Sequence, residues 1–190
     1  MNQEEILDIL RATGAIKQGH FKLTSGLHAG TYFQCAKALE DPGVTQMMGA
    51  EIAKMYDRDA IDLVVSPALG GIVLGFSVAL TLGKRFIWAE RVKGEMQFKR
   101  GFTVGEAERV LVVEDVVTTG GSVKEVLELV KQNGGKIAGA ACLINRGGIE
   151  KISGVKLDSL VIAITEAFPE GQCPLCEAGK SIESPGSRRN

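Results

Sequence analysis

The 190-residue chain lacks net charge: 22 Lys plus Arg stand against 23 Asp plus Glu, and no basic run is longer than a pair such as Arg188-Arg189. A nucleic-acid partner therefore has no electrostatic footing in the bulk composition. No secretory leader is expected either, because residues 1–10 carry Glu4, Glu5 and Asp8 where a leader needs a basic start and an unbroken apolar run. The expectation is a cytoplasmic protein. Residues 63–83 run for 21 positions without a formal charge, long enough to cross a bilayer. Ser66-Pro67 and Gly70-Gly71 break that run near its start, which predicts a buried strand, a loop and a helix, and no membrane partner.

What is present is an ordinary globular mixture, 45% apolar and 24% charged, which excludes a disordered chain. The length suits a single domain over 1–190, with a front segment (1–40), a core (41–168) and a tail (169–190). Glycine is abundant, at 24 residues without a fixed period, and points to tight turns where the backbone approaches something. Helix-like and strand-like periods alternate along the core, so the fold class is α/β with a mainly parallel central sheet flanked by helices. Helices are predicted over 3–13, 42–56, 71–82 and 122–133, and strands over 61–65, 85–89, 110–113, 137–144 and 160–164. Residues 90–101 are charged and without period, and read as a mobile loop or an extended hairpin. From about Pro169 onward the chain reads as a polar tail.

The most informative stretch is VLVVEDVVTTGGS, Val110 to Ser122. Four apolar residues lead to two adjacent acids, two β-branched residues and a small-residue turn that opens a helix. Ligands of open α/β sheets sit at such carboxyl ends of strands. The turn Thr118-Thr119-Gly120-Gly121-Ser122 can aim backbone N–H groups and hydroxyls at one phosphate, with the helix dipole behind them. It contains no lysine and lacks P-loop spacing, so a nucleotide triphosphatase is excluded. Glu114 and Asp115 would repel a phosphate and suit neighbouring hydroxyls. A sugar phosphate satisfies both halves.

This stretch, with Val116 and Val117 between the acids and the turn, resembles the phosphoribosyl pyrophosphate signature of the type I phosphoribosyltransferases. The segment 21–26 (FKLTSG) followed by Tyr32-Phe33 resembles the front of the orotate-using branch, and Asn145-Arg146 matches the place where that branch holds a pyrimidine carboxylate. The resemblance implies the type I fold, with a small hood from the amino terminus and a mobile loop, and transfer of phosphoribosyl to orotate with Mg2+ as cofactor. A purine base as acceptor, or a non-catalytic sensor of phosphoribosyl pyrophosphate, are the alternatives. It further implies a homodimer, substrate contacts from Ser25, Gly26 and Phe33, a pyrophosphate loop at Ala68, Leu69, Gly70 and Gly71, and orotate on Arg146. Lysines common in the family are replaced by Thr24 and Gly70, and residues 90–101 contain no histidine. The loop cations are Arg91, Lys93, Lys99 and Arg100. Arg91 and then Lys93 are expected to meet the departing charge.

Cys35 and Cys142 sit in apolar stretches and read as inert core residues. Cys173-Pro174-Leu175-Cys176 has the spacing of half a zinc knuckle or of a redox pair. His20 and His28 are remote in sequence, so a four-ligand site is expected to need a neighbouring subunit, or Cys35 and Cys142. Three readings stand: free or tail-anchoring thiols, a metal between subunits, and a disulfide.

Overall fold

The computed structural model describes residues 1–23 and 25–184. Thr24 and the Arg188-Arg189 pair lie outside the described residues. Helix α1 (Gln3–Ala12) begins with a reciprocal cap between Asn2 and Glu5 and buries Ile6 and Leu10. Strands β1 (Ile16–Lys22) and β2 (His28–Phe33) follow, then helices α2 (Cys35–Leu39) and α3 (Pro42–Ala53). Asp41 caps α3 by accepting from the Gly43 and Val44 amides, with Pro42 in its first turn. The predicted 42–56 helix thus ends earlier, at Ala53.

The core continues as β3 (Leu63–Pro67), α4 (Gly71–Leu82), β4 (Arg85–Val92), β5 (Glu95–Phe98), β6 (Arg109–Val117), α5 (Gly121–Gln132), β7 (Lys136–Asn145), β8 (Lys151–Ile152) and β9 (Val155–Ile162). They make a seven-stranded sheet in the order β5-β4-β3-β6-β7-β9-β8. All neighbours are parallel except β4/β5 and β8/β9 at the two edges. Alternation along each central strand fills two separate cores. Val64, Leu111, Val113, Ala141 and Leu143 pack on one face with α3 and α4; Leu63, Val65, Val110, Val112, Ala140 and Cys142 pack on the other with Val123, Val126, Leu127 and Val130 of α5. Both faces being covered, the central strands carry unbroken apolar runs, Leu63–Val65 in β3, Val110–Val113 in β6 and Ala140–Ile144 in β7. Among the described residues no helix is long and apolar enough to cross a membrane.

Residues 90–101 form a hairpin: β4 pairs antiparallel with β5 across a turn in which Lys93 and Gly94 both have positive φ, 49° and 91°. The front and tail depart further from the sequence reading. β1, β2 and β10 (Ala167–Phe168) form a separate three-stranded sheet. Beyond β10 the polar tail is structured as far as residue 184. It makes a short helix, α6 (Pro174–Glu177), and returns to β1, where the Glu183 carbonyl accepts from the Lys22 amide and the Glu183 amide donates to the His20 carbonyl.

Candidate active site

In the strand order, β3 leads through α4 to β4 on one side, and β6 lies on its other side. The carboxyl ends of β3 and β6 therefore flank the switch point where open α/β sheets bind ligands. Residues 67–71 leave β3 there and residues 117–121 leave β6. Both lead into helices with no side-chain cap at their starts, α4 at Gly70 and α5 at Gly120. In α5 the first intrahelical bond is from the Lys124 amide to the Gly120 carbonyl, so the amides of Gly121, Ser122 and Val123 face outward without helical acceptors. Gly120 has φ 75°, and a Cβ there would lie 2.8 Å from Ile152 Cδ1. Only glycine meets both demands.

Around this edge lie three adjoining concavities. One of about 350 Å3 is lined by Glu114, Val116, Val117, Thr118, Thr119, Gly120, Gly121 and Ser122. The next, about 480 Å3, shares Val116 and adds Asp115, Gly70, Leu69, Phe33 and Cys35. A third, about 400 Å3, shares Leu69 and reaches Ala68, Trp88, Arg91 and Arg100. The acids thus stand between the phosphate turn and the 67–71 loop. Gly70 and Gly71 are there because the acids crowd them: a Cβ on Gly70 would sit 2.6 Å from Asp115 Oδ1, and one on Gly71 2.9 Å from Glu114 Oε1. No lysine stem could replace Gly70 without moving Asp115.

Glu114 is buried and accepts from the Asp115 amide at 3.1 Å, while Asp115 Oδ1 accepts from the Val116 amide at 2.9 Å. Burial, reinforced by the Asp115 charge, raises the Glu114 carboxyl well above the ordinary carboxylate range. Arg146 is held at the end of β7 by its amide, which donates to the Val117 carbonyl at 2.7 Å. Its guanidinium carbon lies 5.4 Å from the centre of the Phe33 ring, and its buried Nε has no hydrogen-bond partner among the described residues. Desolvation pulls its pKa below the usual arginine value. With a starting point so high, it stays charged at any working pH.

The remaining expectations are met unevenly. Phe33 is both a core aromatic and a wall of the Asp115 cavity. Ser25 and Gly26 are exposed in the β1–β2 turn, outside the three concavities. Arg91 borders the third concavity but donates to Glu125 of α5 at 2.8 Å and to the Gly94 carbonyl. Lys93 is at the hairpin tip. Arg100, named in the sequence only as one loop cation among four, lines the third concavity, bonded to Glu90 at 2.6 Å and 5.9 Å from the Trp88 ring centre. Gly147 was missed altogether: a Cβ there would be 2.0 Å from the Thr118 carbonyl oxygen, so it shapes the phosphate turn from behind. Its only sequence signal was the Gly147-Gly148 pair after Arg146.

The phosphoribosyl transferase domain profile matches residues 37–168. The chain belongs to the phosphoribosyltransferase family. It is 44% identical over 189 residues to the orotate phosphoribosyltransferase of Desulforamulus reducens, covering 100% of this chain and 99% of that protein. It is 47% identical over 191 residues to that of Chlorobium phaeobacteroides, covering 100% and 98%. Among solved structures, the orotate phosphoribosyltransferase of Aeropyrum pernix superposes with a TM-score of 0.69 at 26% identity, over 83% of this chain and 93% of that one. The parallel sheet with its switch-point site is thus the type I phosphoribosyltransferase fold.

The cysteine expectations need correction. All four thiols are free, and Cys35 and Cys142 are buried in the core as expected. His20 and His28, however, are not remote from the Cys173/Cys176 pair. One donor atom from each of the four residues falls in a cluster spanning 4.8 Å, within one subunit and without Cys35 or Cys142.

Proposed function

We propose that this chain transfers phosphoribosyl from 5-phosphoribosyl 1-pyrophosphate to orotate, giving orotidine 5-phosphate and pyrophosphate for pyrimidine synthesis. Arg146 carries the reading. A planar, half-buried guanidinium with an unpartnered Nε, set over the aromatic ring that lines the Asp115 cavity, suits a flat carboxylated base that it can grip with two parallel hydrogen bonds. The Thr118–Ser122 turn anchors the 5-phosphate through outward amides, and Glu114 and Asp115 accept from the ribose hydroxyls. The 67–71 loop receives the departing pyrophosphate, with Arg100 and Arg91 beside Leu69 to offset its charge.

The bond from ribose carbon 1 to pyrophosphate breaks through an oxocarbenium-like state, and the orotate ring nitrogen bonds that carbon from the opposite face. No side chain need act as nucleophile. The chain contributes alignment, charge and exclusion of water. Carboxylate, hydroxyl and carbonyl oxygens at the acid pair and turn are the hard donors that magnesium takes, and Asp115 would hold the ion through the ribose hydroxyls. When bound, magnesium neutralises charge on the pyrophosphate.

The same proposal extends to assembly and compartment. Val73, Phe76 and Leu80 form a stripe at helical spacing on α4, exposed by 48%, 56% and 63%, and Val73 also lines the Asp115 cavity. Such a stripe fits a second copy of the chain, making a homodimer with its interface beside the site. Four free thiols suit the reducing cytoplasm.

The test is the loss of orotate absorbance when phosphoribosyl pyrophosphate and magnesium are added, run beside adenine, hypoxanthine, xanthine and uracil. Turnover with orotate alone is expected. Turnover with a purine instead would assign the chain to another base, and binding without turnover would make it a sensor.

A further inference from the structure

We propose that His20, His28, Cys173 and Cys176 form a structural zinc site that fastens the end of the chain to the front sheet. The four converge from separate parts of the sequence. His20 sits in β1 where the register against β2 slips, Gly19 and His20 of β1 standing opposite Gly30 of β2 between the Gln18–Thr31 and Phe21–Ala29 pairs. In this irregular stretch His20 and Phe21 are consecutive and both buried. His28 opens β2. Cys173 caps α6 and Cys176 lies within it, so the Cys-x-x-Cys turn presents both sulfurs to the same side.

Four of the six distances between donor atoms are close to the edges of a tetrahedron around zinc. With Zn–S near 2.3 Å and Zn–N near 2.0–2.1 Å, tetrahedral edges come to about 3.6 Å for N···S and about 3.3 Å for N···N. His20 Nε2 lies 3.6 Å from Cys173 Sγ and 3.7 Å from Cys176 Sγ; His28 Nδ1 lies 3.3 Å from Cys176 Sγ; the two nitrogens are 3.0 Å apart. The second nitrogen of His20 fixes its tautomer. Nδ1 is 2.9 Å from the Lys180 carbonyl, which can only accept, so Nδ1 carries the hydrogen and Nε2 turns a lone pair into the cluster, the outer-shell arrangement of metal-bound histidine. His28 has no partner on Nε2 among the described residues, so its ring is oriented only from the cluster side. Both histidines and Cys173 are buried. Two thiolates balance a divalent ion, so the closed site would carry no net charge into the interior, and an S2N2 tetrahedron selects zinc over the hard cations.

The position of the cluster gives it a task. His20 and His28 stand at the base of the β1–β2 hairpin whose turn holds Ser25 and Gly26, and Phe168 of β10 pairs with His28. The ion would lock that base to residues more than 140 positions away in sequence. It holds whichever base the enzyme uses, because none of its ligands lines the three concavities of the active site.

The test is the metal content of the full-length protein purified under reducing conditions, stripped with a chelator and reloaded with zinc or cobalt. One zinc per chain is expected, and the cobalt form should show the intense visible bands and sulfur-to-metal charge transfer of a tetrahedral S2N2 centre. Cys176→Ser alters an exposed residue and should cut the zinc content at least tenfold while circular dichroism stays native. Cys142→Ser, outside the cluster, should keep full zinc. Removal of zinc should lower the Tm of the wild type and leave Cys176→Ser unmoved. Less than about 0.1 zinc per reloaded chain, full zinc retained by a Cys173→Ser/Cys176→Ser double variant, or a Cys173–Cys176 disulfide in the reduced preparation would each overturn the proposal.

Discussion

Burial and the neighbouring Asp115 carboxylate both hold the Glu114 proton on more tightly than in the unfolded chain. The folded state therefore binds more protons than the unfolded one above the unfolded value of about 4.3, and its stability falls as pH rises from there toward the raised folded pKa. Holding this carboxyl buried beside Asp115 costs stability above the unfolded value, and the proposed ribose contact is what would retain it. Glu114→Gln, which keeps an oxygen to accept from the Asp115 amide, is expected to raise Tm at neutral pH, by about 2–4 °C per kcal/mol gained for a chain of this size. The gain should shrink toward pH 4, and kcat/KM should fall about 10-fold or more through loss of the carboxyl's hydrogen bond to the ribose. Melting curves across pH with parallel kinetics check both halves; a variant less stable at neutral pH would refute the assignment. Individual residues were legible in the sequence where the chemistry is contiguous. Glu114, Asp115 and the Thr118–Ser122 turn fall within nine positions, so one local pattern displays that part of the candidate site. Arg146 was found through resemblance, and its setting over Phe33 required residues 113 positions apart to meet.

At the scale of elements, the core strands declared themselves because both faces of a parallel sheet are buried, giving unbroken apolar runs such as those of β3 and β6. β1 and β2 did not. The burial of β1 follows no alternation: the register slips between Gln18 and Phe21, His20 and Phe21 are both buried, and Gly19 contributes no side chain. The β4–β5 hairpin was half hidden for another reason: its charged residues pair among themselves and with α5, Arg100 with Glu90 and Arg91 with Glu125, and such pairs leave no hydrophobic period. The apolar stripe on α4 leads to a prediction about assembly. Phe76→Glu is expected to turn the proposed dimer into a monomer at micromolar concentration, because it places a charge in the middle of the exposed stripe. Light scattering after gel filtration would measure this. A wild type that is monomeric throughout, or a dimer untouched by the substitution, would remove α4 from the interface.

The whole molecule divides its work between two assemblies of distant segments. The seven-stranded sheet sets the β3 and β6 loops side by side, a consequence of strand order that a linear pattern can suggest because each βαβ unit is local. The front sheet draws on residues 16–33 and 167–184 together, and no periodicity links its two ends. For that reason the Cys-x-x-Cys pair read as half a site until the fold brought His20 and His28 to it.

The measurement closest to the central claim is a crystal structure with orotidine 5-phosphate bound. The phosphate should rest on the amides of Thr118–Ser122, the ribose hydroxyls should lie within about 3 Å of Glu114 and Asp115, and the base carboxylate should take two bonds from Arg146. A ribose bound away from the two acids, or a carboxylate with Arg146 turned from it, would contradict the account.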